Sequence, residues 1–510
     1  MSTMLFHLYR LLHTWIDKTV MYRLVLYMLG ALAASSLVLG ALGLVAQPFE
    51  HQALSLIVIT FMAYGASVAM AYTTKIAANH HSSVITGLII FFLVMPGSSV
   101  SEFVVLAATV AIAIISKYVL VYRKQHLVNP AALAVVMLAL SGYGVATWWI
   151  ATPWMFPPLL VAGSIMVLKI RKWELVVSFV LTGFLIFLFE GLYYGDDLMS
   201  TWSTFFVSYP ALFLGFFMLT EPFSMPPTKK TQIWYGALVG LLSNTSIFKP
   251  LLTMTPELAL LIGNIAFYPT TLRRKLMLTV VRVVTIAQNT LEVVFEKPLG
   301  LHYLAGQYLE WMLPHTGADT RGIRRYFTVA SSPTEDVLRV ALKVPEQAST
   351  FKKYWSALKP GDLVLASQLA GDFVLPKHNT KKIAMVAGGI GVTPFRSQLQ
   401  FLTDTNDKRD VVLFYANNTI PEIAYGELFA THSRVMPLKT IYILAKEPTS
   451  SEYESGYFSN VMIEKYTPDF AERLWYVSGP PGMVAATVKT LREIGVKRSH
   501  IKKDFFPGLG

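Results

Sequence analysis

Cysteine is absent from all 510 residues. Its absence excludes disulfides, cysteine-ligated iron–sulfur clusters and thiolate catalysis within this chain, so any electron carrier is organic or sits on histidine or carboxylate. Charge is nearly as scarce: Asp, Glu, Lys and Arg make up 15% of the chain against 54% hydrophobic residues. Soluble domains carry about 25% charged residues, so much of this protein is not solvated by water. Histidine is sparse in the first half, with only His7, His13, His51, His80, His81 and His126, mostly at the ends of apolar segments. Stacked haems need paired histidines about two heptads apart on two spans. That spacing is missing. His80 and His81 read as interface residues rather than ligands, and no metal site is expected.

The charge deficit is uneven. Residues 1–275 hold 16 Lys and Arg and 9 Asp and Glu, against 27 and 22 in residues 276–510. The second part has the composition of an ordinary globular chain and is long enough for two small domains. The first contains ten apolar stretches of spanning or near-spanning length, near 24–46, 53–72, 83–96, 102–121, 129–150, 155–168, 174–193, 202–220, 232–247 and 255–269. Basic residues mark every second connection: Arg10, Lys18 and Arg23; Lys75; Lys117, Arg123 and Lys124; Lys169, Arg171 and Lys172; Lys229 and Lys230; Arg273, Arg274 and Lys275. Only Lys249 falls on the other side. The positive-inside rule then predicts a multi-pass cell-membrane protein with both termini cytoplasmic. The same distribution accounts for the net charge of +12 without a nucleic-acid partner. Residues 5–20 read either as an interfacial helix or as a frayed terminus.

Residues 277–376 alternate apolar and polar over short β-branched runs separated by Gly and Pro, as in Leu278–Val284 and Thr290–Phe295. This pattern predicts an antiparallel barrel. From 380 onward, buried strands (Ile383–Ala387, Val411–Tyr415, Lys439–Leu444, Leu474–Val477) alternate with helical stretches, as in a doubly wound parallel sheet. The first of these strands feeds Gly388-Gly389-Ile390-Gly391-Val392-Thr393-Pro394. Glycines let a backbone approach a pyrophosphate closely, and a helix start offers free N–H groups and a partial positive charge. The expected architecture is a polytopic α-helical membrane domain of about ten spans (1–275) fused to an antiparallel β-barrel domain (276–378) and an α/β doubly wound nucleotide-binding domain (379–510).

Two further motifs flank the glycine turn: Arg325-Tyr326-Phe327-Thr328-Val329-Ala330-Ser331-Ser332-Pro333 before it and Ser478-Gly479-Pro480-Pro481-Gly482-Met483 after it. In this order they resemble the ferredoxin–NADP reductase superfamily. The resemblance implies FAD in the barrel and NAD(P)H in the last domain. Arg325 would pair with the flavin pyrophosphate through its planar fork. Phe327 stands where the family has Tyr, keeping ring stacking and losing a hydroxyl contact; Tyr326 lies between the two. Thr328 would hydrogen-bond the isoalloxazine, and Ser349 and Thr350 would cap the pyrophosphate. Gly388, Gly389, Gly391, Thr393, Pro394, Gly479, Pro480 and Met483 would hold the nicotinamide nucleotide. Thr393 would also reach its amide, and Ser478 replaces the family's Cys beside the hydride path. Asp504 would lie near the reacting centre and Phe506 would cover the flavin. Asn417-Asn418-Thr419 offers neither a ribose-binding acid nor an Arg for a 2′-phosphate, which leaves NADH and NADPH unsettled with a lean to NADH.

In the first half, Ser83-Val84-Ile85-Thr86-Gly87 with Met95-Pro96, Asn129-Pro130-Ala131-Ala132, Phe216-Phe217-Met218-Leu219-Thr220-Glu221-Pro222 and Leu261-Ile262-Gly263-Asn264 follow one another. They resemble the membrane subunits D of Rnf complexes and B of sodium-translocating NADH:quinone reductases, ten-helix proteins that bind flavin and pass electrons. Singly, such polar residues read as helix caps and turns. Together, Asn129, Thr220, Glu221 and Asn264 are candidates for a membrane flavin. Relatives attach FMN covalently to the Thr of Ser-Gly-Ala-Thr. The corresponding loop here runs from Gly195 to Thr201 without that motif, so the resemblance leaves non-covalent FMN or riboflavin, or no membrane flavin, open.

The combined expectation is a membrane-bound NAD(P)H-dependent flavin oxidoreductase. Electrons would pass through FAD to the membrane domain and on to a quinone or another acceptor, among membrane lipid and with no partner subunit specified. Its rivals are a redox-driven ion pump, a reductase whose membrane half is only an anchor, and a non-enzymatic flavin transporter or scaffold. For proton pumping, Glu190 is the main intramembrane carboxylate, with Glu174 and Glu221 near the interface.

Overall fold

A computed structural model describes residues 15–505 except 17, 18, 20, 75–79, 123–124, 223, 244–253, 271–274, 316–322, 377–380 and 451. Phe506 and most of the 5–20 segment lie outside the described residues. So do the basic residues Arg10, Lys18, Lys75, Arg123, Lys124, Lys249, Arg273 and Arg274. The chain divides into two compact units, Met1–Leu272 and Arg273–Gly510.

All ten apolar stretches carry helix. Among the described residues, four helices are long and apolar enough to cross a membrane, or five if a bent pair described below is one span: α1 (Met21–Ala41), α2 (Phe49–Thr74), α4 (Val100–Val119) and α7 (Trp173–Tyr194). Their outward faces are apolar, with Phe61 and Phe189 strongly exposed. The shorter helices are α3 (His80–Leu93), α5 (Pro130–Ser141), α6 (Phe156–Ile170), α10 (Lys229–Ser243) and α11 (Pro256–Phe267).

Ten spans are expected and four or five helices reach spanning length among the described residues; two of the stretches depart from a single helix for a local reason. The stretch 129–150 stops being helical at Ser141, where Gly142 takes a left-handed C-cap conformation (φ 76). The chain then folds onto the end of α3. The N–H groups of Thr147 and Trp148 both donate to the Leu93 carbonyl (2.8 and 3.1 Å), and Trp149 Nε1 donates to the Phe91 carbonyl (2.5 Å). Backbone in an apolar setting must satisfy its polar groups internally, and these bonds do so for α3. The stretch 202–220 forms a pair, α8 (Leu198–Ser208) and α9 (Ala211–Met218), bent by 50°. Pro210 lies at the break, where its ring and missing N–H oppose a continuous helix.

The second unit contains two sheets. The antiparallel sheet consists of β1 (Leu276–Ala287), β2 (Thr290–Glu296), β3 (Tyr308–Met312), β4 (Arg324–Thr328), β5 (Val337–Lys343) and β6 (Leu363–Ala370), ordered β4-β3-β6-β1-β2-β5. Its interior is aromatic. Trp311 is buried between Phe295 (centroids 5.0 Å, stacked) and Trp355 (5.5 Å, edge-on), contacts worth about 0.5–1.5 kcal/mol each beyond area burial. Trp355 belongs to α12 (Thr350–Ser356).

The parallel sheet comprises β7 (Ile383–Gly388), β8 (Val411–Asn417), β9 (Leu438–Leu444), β10 (Tyr453–Ser455), β11 (Leu474–Gly479) and β12 (Ile501–Phe505), ordered β10-β9-β8-β7-β11-β12. Helices α13 (Thr393–Asp404), α14 (Gly426–Val435), α15 (Asn460–Tyr466) and α16 (Pro481–Glu493) connect them. The central strand β7 is buried along its whole length, as a strand covered on both faces must be.

Candidate functional site

At the carboxyl ends of β7, β8, β9 and β11 lies a cleft of about 640 Å³, within the range of small-molecule sites. It brings together five of the predicted residues: Ser349, Gly388, Gly389, Pro480 and Met483. The glycines divide the work. A Cβ on Gly391 would lie 2.6 Å from the Ser478 carbonyl and from Gly479 Cα, so Gly391 is required for packing against the end of β11. Gly389 has φ +51 and nothing within 4 Å of its Cβ direction, which leaves it facing open space in the cleft. Gly479 and Met483 abut Gly388 from the other side. Thr393 and Pro394 open α13 and are buried, with Thr393 Oγ1 donating to the Ile390 carbonyl (3.2 Å).

Strand alternation on β4 sends Phe327 toward α12, with its ring near Phe351 and Trp355 (6.0 and 5.6 Å). On the same side the Arg325 guanidinium lies over the Phe351 ring (5.1 Å). Ser349 is the N-cap of α12 and accepts the Lys352 N–H at 3.4 Å. Thr350 Oγ1 lies 3.1 Å from His315 Nε2. Tyr326 turns to the opposite face, where its hydroxyl donates to Glu310 (3.2 Å) and Gln368 (3.1 Å). Thr328 and Ser478 are both buried, and the hydroxyl oxygen of each has no protein partner. Asp504 pairs in register with Ser478 across β11 and β12.

The turn after β4 is held rigidly. Tyr303 donates to the Ser332 carbonyl (2.8 Å), Ser397 to the Ser331 carbonyl (2.6 Å), and Arg396 forms a bidentate pair with Glu335. Sequence reasoning misses Tyr308, Asp372, Gln368 and Glu422. Burial, with the carboxylates of Asp504 and Asp372 nearby, pushes the Tyr308 hydroxyl up to about 12, so it stays protonated. Gln368 adopts φ 52 and keeps its buried Nε2 without a partner. Its only sequence signal is a polar residue in an apolar strand.

In the membrane unit the predicted residues meet each other. Asn129 caps α5, its Oδ1 accepting the N–H groups of Ala131 and Ala132 (3.0 and 3.1 Å). Its Nδ2 donates to Glu221 (2.8 Å) and its backbone N–H to Asn264 Oδ1 (2.9 Å). Asn264 Nδ2 donates to the Tyr235 hydroxyl (2.7 Å). Thr220 donates to the Phe216 carbonyl (2.6 Å). The adjoining cavity, lined also by Lys117, Ser82 and Tyr22, holds about 60 Å³, room for about two waters and far below a flavin-sized pocket. Thr201, expected in a loop at the place of the covalent motif, lies instead in α8, where its hydroxyl donates to the Asp197 carbonyl (2.8 Å). Sequence reasoning also misses Glu257, which is buried and accepts the indole N–H of Trp148 (3.1 Å).

Known proteins are similar to parts of this chain. Residues 385–489 match the oxidoreductase NAD-binding domain, and residues 154–270 match the NQR2, RnfD, RnfE family. Each half resembles a different family. The F component of the Na(+)-translocating NADH-quinone reductase from Klebsiella pneumoniae is 29% identical over 200 residues, covering 36% of this chain and 49% of that protein. A Bacillus cereus flavohemoprotein is 26% identical over 218 residues, covering 40% and 53%. A crystal structure of an Amycolatopsis cytochrome P450 reductase is 26% identical with a TM-score of 0.42, covering 46% of this chain and 70% of its own. The chain thus spans about half the length of the first two proteins.

The residues fit the two groups that the reductase resemblance implies. FAD would find an arginine and an aromatic ring on one face of β4, and the unpartnered hydroxyl of Thr328 at its end. A nicotinamide nucleotide would find an open glycine turn and a cleft of sufficient volume.

Proposed function

We propose that this chain is a membrane-bound flavin oxidoreductase. It takes reducing equivalents from NAD(P)H in the 379–510 domain, through FAD in the 276–378 barrel, to the 1–275 membrane domain and on to a quinone or another acceptor. The observation that carries the reading is the pair of buried, unpartnered hydroxyls at Thr328 and Ser478. A buried hydroxyl without a partner costs about 1–3 kcal/mol, and a polar ligand edge at these strand ends would offset that cost.

When bound, FAD accepts a hydride's two electrons together and releases them singly. The chain's residues orient the reactants. Arg325, Ser349 and Thr350 hold the pyrophosphate, Phe327 stacks against the ring and Thr328 donates to its polar edge. Gly389 lets the nucleotide backbone approach, and Thr393 and Ser478 position the nicotinamide. Protonated Tyr308 and the Asp504 carboxylate set the local charge. Ten spans with both termini cytoplasmic would put this chemistry on the side where NAD(P)H is available. The cavity lined by Asn129, Thr220 and Glu221 is too small for a flavin as folded. No electron step is therefore assigned to those residues.

The test is flavin analysis of the detergent-purified chain, followed by NAD(P)H oxidation with ferricyanide and then with a short-chain quinone. Bound FAD and acceptor-dependent oxidation are expected. A colourless protein, or one that oxidises neither nucleotide, overturns the proposal.

A further inference from the structure

The carboxyl end of β8 carries a feature beyond the motifs. The strand ends at Asn417, and the chain continues through Asn418 and Thr419 into a short turn, Ile420–Glu422. Asn417 is only 8% exposed and lines the cleft; neither its amide oxygen nor its amide nitrogen has a partner at hydrogen-bonding distance, and the Tyr415 hydroxyl is the neighbour that interacts with it. Glu422 lines the same part of the cleft. Its carboxylate is held by Lys343 Nζ at 3.0 Å and by Asn418 Nδ2 at 3.3 and 3.4 Å.

In a doubly wound sheet the first strand's glycine turn takes the pyrophosphate, and the end of the second strand faces the adenosine ribose. A ribose 2′,3′-diol presents two hydroxyl donors to this corner. The Glu422 carboxylate and the Asn417 amide oxygen are acceptors suited to it, and the buried Asn417 amide gains the partner it lacks. A 2′-phosphate meets the opposite chemistry: its negative charge is brought against a carboxylate, and like charges at close range are strongly disfavoured. The adjacent cation, Lys343, is engaged by Glu422 and offsets part of that carboxylate's charge, so a 2′-phosphate would have to compete with Glu422 for it. Among the described residues no arginine lines the cleft. The other lining lysine, Lys352, belongs to the turn whose Ser349 hydroxyl accepts its own N–H, on the side assigned to FAD.

Resting on the reductase reading, we infer that Glu422 and Asn417 read the adenosine ribose and make this cleft selective for NADH over NADPH. Sequence alone hides the acid because it lies past the Asn-Asn-Thr run, in a turn that only the fold brings back to the strand end.

The experiment titrates the full chain in detergent, with FAD bound, by calorimetry against ADP-ribose and against ADP-ribose 2′-phosphate. ADP-ribose is expected to bind about 100-fold more tightly. Glu422→Gln is expected to narrow that ratio about 10-fold by removing the repulsion. Asn417→Ala is expected to weaken ADP-ribose about 10-fold while the flavin spectrum stays unchanged. Equal or tighter binding of the 2′-phosphate, a ratio unmoved by Glu422→Gln, or binding of neither compound overturns the inference. Oxidation of NADH is followed separately. Selective binding of ADP-ribose without any oxidation would leave the selectivity standing and overturn the reductase reading.

Discussion

Thr328, Ser478 and Asn417 in the second unit keep buried polar atoms without protein partners. In the first unit Asn129, Glu221 and Asn264 satisfy one another, and Thr220 bonds its own helix. Of these residues, Asn417 lines the large cleft, and Asn129, Thr220 and Glu221 line the small cavity. The spaces differ about tenfold, at 640 and 60 Å³. A polar group left open at the edge of a large cleft is arranged for a ligand. One tied to three helices is arranged to hold those helices together. Residue type alone does not separate the two; the pattern of hydrogen-bond partners does.

Substitutions can break this comparison. The largest effect is expected at Gly391. Replacing it with Val puts a side chain against the backbone of Ser478 and Gly479, costing about 3 kcal/mol and abolishing nucleotide binding, as thermal melts and NADH titration would show. Thr328→Val should lower flavin reduction by NADH about 100-fold, the loss typical of one oriented donor. Its melting temperature should hold or rise, since no protein bond is lost. A matching fall in stability would mean that the hydroxyl is structural.

Asn129→Leu should do the reverse. It removes the cap of α5 and one hydrogen bond to the Glu221 carboxylate, at about 2 kcal/mol, seen as earlier thermal unfolding in detergent. Ferricyanide reduction by the second unit should be unchanged. If quinone reduction fails while the melt is unaltered, the cluster is functional rather than a fastener.

The smallest effect concerns pH. Burial opposes ionisation of Glu335, but the hydrogen bond and charge of Arg396 hold its carboxyl below the ordinary 4.5. A depressed folded-state value means the stability is fully present above 4.5 and is lost as pH falls through the lower folded value. Denaturant unfolding of the second unit should therefore weaken only in acid, and Glu335→Gln should flatten that dependence.

Much of the fold is legible in the chain. The strands Ile383–Gly388, Val411–Asn417, Leu438–Leu444 and Leu474–Gly479 contain the predicted runs and extend them by one or two residues. Continuous apolar β-branched runs ended by Gly or Asn have few other ways to fold. Ser349, expected at a pyrophosphate, is the N-cap of α12. The membrane half is less legible. Hydropathy finds each apolar stretch but does not reveal that Gly142 ends α5 early, or that Pro210 splits another helix. An apolar re-entrant loop and an apolar helix have the same composition.

Residue order was enough to set the division into an apolar and a solvated half, the succession of the glycine, arginine and serine motifs, and the identity of the strands. These follow from local periodicity and from backbone conformations that only particular residues accept. Folding was needed to show that Gly391 serves packing while Gly389 faces the cleft, that Glu422 returns to the end of β8, and that Asn129, Glu221 and Asn264 bond to each other. Hydrogen-bond satisfaction and free volume depend on partners distant in the chain, and those distances close only when the chain folds.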